Sequence, residues 1–388
     1  MVRRMRFLHT ADWHLGRSLG GHSLHEDQER LLAEEFLGMV RDTKPDAVLI
    51  AGDVFDRFVP PPEAVELLDD ILHRIIRQHG VPVVLIPGNH DHARRLSFGA
   101  RLLRDAGLHI AQSATGAAVR VGGATVVATG YASPALLATL PGYEGVTDHD
   151  TGFAALAPAL LGLCTEPGPR LLVAHAFVTG GAESPDSERS LSVGGTGQVL
   201  ASRFAGFDYV ALGHLHRPQT LGAALGGGCI RYSGSLFPYS VEEADHAKSV
   251  TLVEFDLAGM ARIEELPLVP RRRLRVVRGS FAELRAALTE GRPEGRMDYV
   301  ALELTDPRPV PEAQRLLSEV FPRIVGLRYL AEAAAPGRLA VPGSAARATR
   351  PIDLFAGFYR AMREDAPLAG AAREVVVAAI DAAAAEDA

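Results

Sequence analysis

Residues 5–14 read Met5-Arg6-Phe7-Leu8-His9-Thr10-Ala11-Asp12-Trp13-His14, an apolar run that stops at a carboxylate and an imidazole. Two later stretches repeat this arrangement. Ala47 to Ala51 runs into Gly52-Asp53, and Val81 to Ile86 leads to Gly88-Asn89-His90-Asp91. Between them, Glu29 to Val40 and Ala64 to Arg77 carry apolar residues at helical spacing. Short β-like runs alternating with helices predict a layered α/β sheet. Polar clusters at strand ends are where such sheets commonly place their chemistry.

Working outward, Val119 to Leu268 changes to shorter runs rich in Val, Ile and Tyr, which predict a second sheet. Two of these runs also end in histidine, at His175 and at Gly213-His214-Leu215-His216. Both sheets would then feed one central site, as in a four-layer αββα sandwich. The expected domain organisation is a catalytic domain over 1–269, a small α/β cap over 270–332, an Ala/Pro/Gly-rich linker over 333–350 and a helical tail over 351–388. In the tail, Ile352, Phe355, Phe358, Tyr359 and Met362 recur at helical spacing. An apolar helix on a linker predicts either docking to a partner or folding back onto its own domain.

The bulk properties narrow the class. No apolar stretch in the 388 residues approaches the roughly 18 residues a membrane span requires. Cys164 and Cys229 lie in unrelated segments, which fits a reducing compartment and no thiolate metal site. A cytoplasmic location is expected. The formal charge of −7 argues against non-specific affinity for nucleic acid. Several of those carboxylates sit in the strand-end motifs, however, where divalent ions would offset them.

Asp12 and His14 alternate in extended backbone, so both side chains point the same way and can grip one ion. Asp53 follows a glycine, where a carboxylate can bridge two cations. Asn89 offers an amide oxygen, and His175, His214 and His216 offer imidazole nitrogens. Mixed oxygen and nitrogen donors without thiolate suit manganese, iron or zinc. Each motif alone is an ordinary turn or polar pair. All of them in this order, each at a strand end, point to a two-metal centre.

This set resembles the calcineurin-like metallophosphoesterase superfamily. The strings His9-Thr10-Ala11-Asp12-Trp13-His14-Leu15-Gly16, Arg95-Leu96-Ser97-Phe98-Gly99, Gly213-His214-Leu215-His216-Arg217-Pro218 and Tyr232-Ser233-Gly234-Ser235-Leu236 are similar to those of its SbcD nuclease subunits. The resemblance implies two divalent ions, usually Mn²⁺. One would sit on Asp12, His14 and His216, the other on Asn89, His175 and His214, with Asp53 shared. It implies His90 as the acid that protonates the leaving oxygen, its ring oriented or charged by Asp56. A purely structural contact between those two is the other reading.

The resemblance further implies 3′ to 5′ exonuclease activity on duplex DNA ends and endonuclease activity on single-stranded and hairpin DNA. The subunit would act as a homodimer within a heterotetramer containing an SbcC-type ATPase. No phosphate-binding Gly-x-x-x-x-Gly-Lys-Ser/Thr loop occurs here, so ATP chemistry would come from that partner. A metallophosphatase or cyclic-nucleotide phosphodiesterase is the alternative. Gly-Asn-His-Asp, where protein phosphatases of the superfamily show Gly-Asn-His-Glu, favours the nuclease, as do the cap and the loop Val178 to Gln198 containing Glu188 to Gly195.

Arg17, Arg94 and Arg95 are candidate phosphate contacts. Arg101, Arg104 and the cap arginines Arg271, Arg272, Arg273 and Arg275 could extend a basic track. His9 and Trp13 are expected to pack beneath the site, His92 to face solvent, and His22 and His25 to cap a helix or lie on the surface.

Overall fold

The computed structural model describes residues 4–111, 114–184, 188, 197–223, 228–256, 259–286 and 295–330, together with 352, 355, 356, 359, 368–370, 372, 373 and 375–377. The chain forms two compact units, Met1–Glu332 and Ala333–Ala388.

Among the described residues the first unit is built on two six-stranded sheets. One has the order Gly259–Pro267, Ser249–Asp256, Met5–Thr10, Ala47–Ile50, Val83–Leu85, Leu108–Ile110. Its last four strands are parallel, and Ser249–Asp256 returns antiparallel beside Met5–Thr10. The other has the order Gln219–Ala223, Cys229–Tyr232, Tyr209–Gly213, Arg170–His175, Ala124–Ala128, Ala117–Val121, parallel through its centre with antiparallel edges.

The period-2 alternation of strand side chains divides each apolar run between two cores. Leu8, Val48, Ile50, Val83 and Leu85 face a helical layer containing Leu31, Phe36, Leu68 and Ile71. Their neighbours Phe7, Ala47, Leu49 and Val84 face Leu171, Val173, Tyr209 and Ala211 of the opposite sheet. On its far side, Leu172, Ala174, Val210 and Leu212 pack with Leu156 and Leu160 of helix His149–Gly162. Three successive cores make four layers, the expected αββα sandwich. Both sheets are covered on both faces, which is why their central strands read as continuous apolar runs rather than alternating ones.

Helix His25–Arg30 continues through a π-wound turn, Leu31–Phe36, into Leu37–Thr43. Residues Leu274–Gly279, Tyr299–Leu304 and Ile324–Tyr329 form a three-stranded parallel sheet, with a core of Leu284, Val300, Leu302, Leu304, Leu317 and Val320. It joins the sandwich at Asp27, whose buried carboxylate accepts from Arg272 Nη1 at 2.9 Å and Tyr299 Oη at 2.7 Å. His22 belongs to this joint through the Ile324 carbonyl, 3.3 Å away, rather than to a helix cap.

The basic track expected at the start of this segment is therefore only partly open to a partner. Arg272 is buried against Asp27 and Glu26, Arg271 lies 3.7 Å from Glu26, and Arg275 lies 3.7 Å from Asp298. Only Arg273 of the four is drawn into no such pair among the described residues.

In the second unit, Ile352, Phe355, Ala356 and Tyr359 are helical and share one face, and Val375, Val376 and Val377 are helical further on. Linker residues 333–350, with Phe358 and Met362, lie outside the described residues, as do 189–196 of the loop after Val178. Among the described residues no helix is long and apolar enough to cross a membrane.

Candidate metal centre

The strand-end loops of both sheets converge on one buried cluster. Among the described residues six non-glycine residues have positive φ, and four are candidate ligands: Asp12 at 53°, His14 at 45°, Asp53 at 49° and His214 at 108°. Such backbone costs about 1–3 kcal/mol per residue, so neighbouring contacts must hold it. Asp12 N donates to the Gly52 carbonyl and His14 N to the Asp53 carbonyl, each at 3.0 Å. Asp12 Oδ1 accepts from His214 N at 2.9 Å, joining the two sheets, and Asp53 Oδ1 accepts from His90 N at 2.8 Å. Two glycines give the loops room. A Cβ on Gly88 would lie 2.1 Å from Asp53 Oδ1, and one on Gly52 would lie 2.5 Å from His175 Nδ1.

All seven candidate ligands meet here. Donor atoms of Asp12, His14 and His216 lie within 4.8 Å of one another, as do those of Asp12, Asp53 and His175. Asp53 Oδ2 stands between the halves, 3.7 Å from His14 Nε2 and 3.5 Å from His175 Nε2. Asn89 Oδ1 lies 2.8 Å from His175 Nε2 and 3.2 Å from His214 Nδ1.

The electrostatics suit divalent cations. Burial pushes the His175 imidazole down to about 4, and burial with neighbouring imidazoles holds His14 and His214 well below the usual range. The rings are therefore neutral and carry lone pairs. His175 Nδ1 donates to the Ala51 carbonyl at 3.0 Å, so its Nε2 lone pair faces Asn89 Oδ1, itself an acceptor. Burial and the Asp53 charge raise Asp12 well above the ordinary carboxylate range. Electron-rich atoms aimed at one another around a buried carboxylate pair are what two cations would relieve.

His90 stands beside this cluster, its ring 4.7 Å from that of His14 and its Nε2 4.0 Å from Asp53 Oδ2. Asp56 meets the His90 ring through its main chain. The His90 Nδ1 contact at 2.9 Å is to the backbone carbonyl of Asp56, while the Asp56 carboxylate lies 2.9 Å from Arg17 Nη1 and 3.7 Å from His14 Nδ1. Arg17, expected at substrate phosphate, is held between that carboxylate and the face of Tyr239, 5.1 Å from the ring centroid. Arg94 and Arg95 are exposed on the short helix Ala93–Leu96 outside the cluster.

His9 and Trp13 are core residues, bonded to Tyr209 Oη and Thr10 Oγ1 respectively, each at 2.9 Å. His92 is half-buried against Phe58 rather than facing solvent. Asp91, buried, accepts from the Val54, Phe55 and Gly88 amides and so ties two ligand loops together.

Sequence reasoning missed a supporting layer. Gln28 Nε2 donates to the carbonyls of Trp13 and His14 at 3.0 and 2.9 Å, and Tyr239 Oη donates to the Trp13 carbonyl. Glu188, Glu243 and Lys248 surround His216. Glu188 opens the loop string that the sequence singles out; Gln28, Tyr239, Glu243 and Lys248 lie in no motif, and their one signal is a polar side chain that the fold buries.

The family described as Calcineurin-like phosphoesterase matches residues 5–218. The SbcD-type family described as Type 5 capsule protein repressor C-terminal domain matches residues 270–363. Among solved structures, the crystal structure of a 5′-nucleotidase precursor from Thermus thermophilus is 17% identical, covering 69% of this chain and 55% of that chain with a TM-score of 0.37. The present chain thus spans about half the length of that protein.

Proposed function

This chain belongs to the calcineurin-like phosphoesterase family, and from that premise we propose that it is an SbcD-type nuclease subunit that hydrolyses DNA phosphodiesters in repair and recombination. The observation that carries the reading is the pairing, in one chain, of this catalytic region with the SbcD-type match over 270–363. In this reading residues 1–269 are catalytic, 270–332 cap the site, and 351–388 dock an SbcC-type ATPase.

Asp12, His14 and His216 would hold one ion and Asn89, His175 and His214 the other, with Asp53 shared. Divalent ions there, manganese in the first place, would supply an activated water and offset the charge that grows on the phosphate. The chain's own residues do the rest. Asp12 and Asp91 brace the loops, the neutral imidazoles present lone pairs, and His90 donates a proton from Nε2 to the leaving oxygen while the Asp56 carbonyl holds its Nδ1–H. The products are a free hydroxyl and a phosphomonoester. The subunit would work in the cytoplasm as a homodimer with two SbcC-type partners, 3′ to 5′ on duplex ends and internally on hairpins and single strands.

The test is hydrolysis by the purified chain with Mn²⁺, alone and with an SbcC-type ATPase and ATP, of end-labelled duplex, hairpin DNA and a p-nitrophenyl phosphodiester. Cleavage of DNA supports the reading. Turnover of the small ester alone would move the chain to the phosphatase or cyclic-nucleotide phosphodiesterase reading.

A further inference from the structure

His14 and His216 approach to 3.1 Å between their Nε2 atoms, yet they leave different sheets. Something must hold the loop after Gly213 against the loop after Thr10. His216 is gripped at three polar atoms. Its backbone N donates to Glu188 Oε1 at 2.7 Å, its carbonyl accepts from Lys248 Nζ at 2.9 Å, and its Nδ1 contacts Glu243 Oε1 at 2.9 Å. A carboxylate only accepts, so Nδ1 carries the proton and Nε2 presents its lone pair toward His14.

The Lys248 ammonium spends its three protons on the His216 carbonyl, Ser235 Oγ at 2.9 Å and Glu243 Oε2 at 2.5 Å. Glu243 and Lys248 are both buried, so each charge needs the other. Their sum is zero, and the ring is oriented without adding charge to the crowded Asp12 and Asp53. Lys248 directly precedes Ser249–Asp256, the strand paired with Met5–Thr10. The pair therefore lies between the His216 loop and the strand that delivers Asp12 and His14.

We infer that Glu243, its buried charge balanced by Lys248, is a positioning residue that sets the orientation and tautomer of His216 and thereby builds the ion-binding half formed with Asp12 and His14. The inference rests on the two-metal reading above. Neither residue touches the reacting atoms; both act through His216.

The test compares Mn²⁺ binding by the full chain, followed by calorimetry and ion count, in two double variants that each remove both charges. Glu243→Gln/Lys248→Met keeps an oxygen that accepts the Nδ1–H, whereas Glu243→Met/Lys248→Met does not. The expected result is two ions in the wild type and in the Gln variant within several-fold. In the Met variant one ion is weakened about 10- to 100-fold, the other is unchanged, and activity returns at high Mn²⁺. Melting of the metal-free proteins shows whether the fold is intact. Equal affinities in the two double variants overturn the inference. So does equal weakening of both ions together with a lower melting temperature of the metal-free Met variant, which is general support of the fold. A wild type that binds no Mn²⁺ instead removes the two-metal reading, and the inference with it.

Discussion

His90 Nδ1 lies 2.9 Å from the backbone carbonyl of Asp56, so the group that orients the candidate proton donor is main chain and survives replacement of the Asp56 side chain. His90→Ala should therefore lower kcat by about 10²- to 10⁴-fold, the usual contribution of a positioned acid, and leave both ions bound. Asp56→Ala should cost less, within about tenfold, and through the freed Arg17 rather than through His90. Steady-state cleavage of end-labelled duplex separates the two. An Asp56→Ala enzyme as slow as His90→Ala would return the role to the carboxylate.

Gly88 admits no side chain, because an added Cβ would meet Asp53 at 2.1 Å from Oδ1 and 2.4 Å from the backbone N. Gly88→Ala should displace the shared carboxylate, abolish Mn²⁺ binding and destabilise the protein by about 1–3 kcal/mol. Gly38→Ala is the control. It lies in helix Leu37–Thr43 with nothing within 4 Å of an added Cβ and should be neutral or stabilising by up to about 1 kcal/mol. Similar losses in both variants, read by urea unfolding and calorimetry, would show that the clash is not what matters.

These first two cases mark where the sequence was legible. The Gly52-Asp53 and Gly88-Asn89 strand ends are local patterns, and locality is what a single sequence displays. The central strands were legible for the same reason, whereas Leu108–Ile110, Ala117–Val121 and Gln219–Ala223, mostly short edge strands, lack a long apolar run. Glu243, Lys248 and Gln28 look like surface residues until the fold buries them. Arg272 misled in the opposite direction, since an arginine beside two others reads as a basic track until Asp27 arrives from the helix far before it. The Asp56 carbonyl was invisible because a backbone atom has no letter in the sequence.

His9 supplies a pH dependence outside the ligand set. Burial and the nearby Arg231 charge lower its imidazole from 6.5 to about 3. A depressed folded value means that its contribution is fully present above 6.5 and is lost as pH falls from 6.5 toward 3. The slope reaches at most about 1.4 kcal/mol per pH unit. His9→Gln should be less stable than wild type near neutrality, by about 1–3 kcal/mol for the disturbed contacts to Tyr209 and Leu212. The gap should narrow by pH ~5, because the variant lacks a group that must stay uncharged. Urea unfolding of both proteins across this range is the measurement, and a gap independent of pH would contradict the neutral buried ring.

Asp12 is the ligand whose burial costs the fold most directly. Its carboxyl is fully buried beside Asp53, and both effects disfavour its charge. Chelation should lower the melting temperature of the wild type, since ligands bound only by the folded state stabilise it, by about 2.7 kcal/mol at a hundredfold excess over Kd. Asp12→Asn keeps an oxygen for the His214 amide, 2.9 Å away, while removing one of the opposed charges. In EDTA the variant should therefore melt above the wild type, and in Mn²⁺ below it, with activity lost. This reversal of order is what a site built for function at the expense of stability requires. The variant melting below wild type in EDTA as well would mean that Asp12 is held by hydrogen bonds strong enough to outweigh Asp53, and that the carboxylate pair is not the strain the cations relieve.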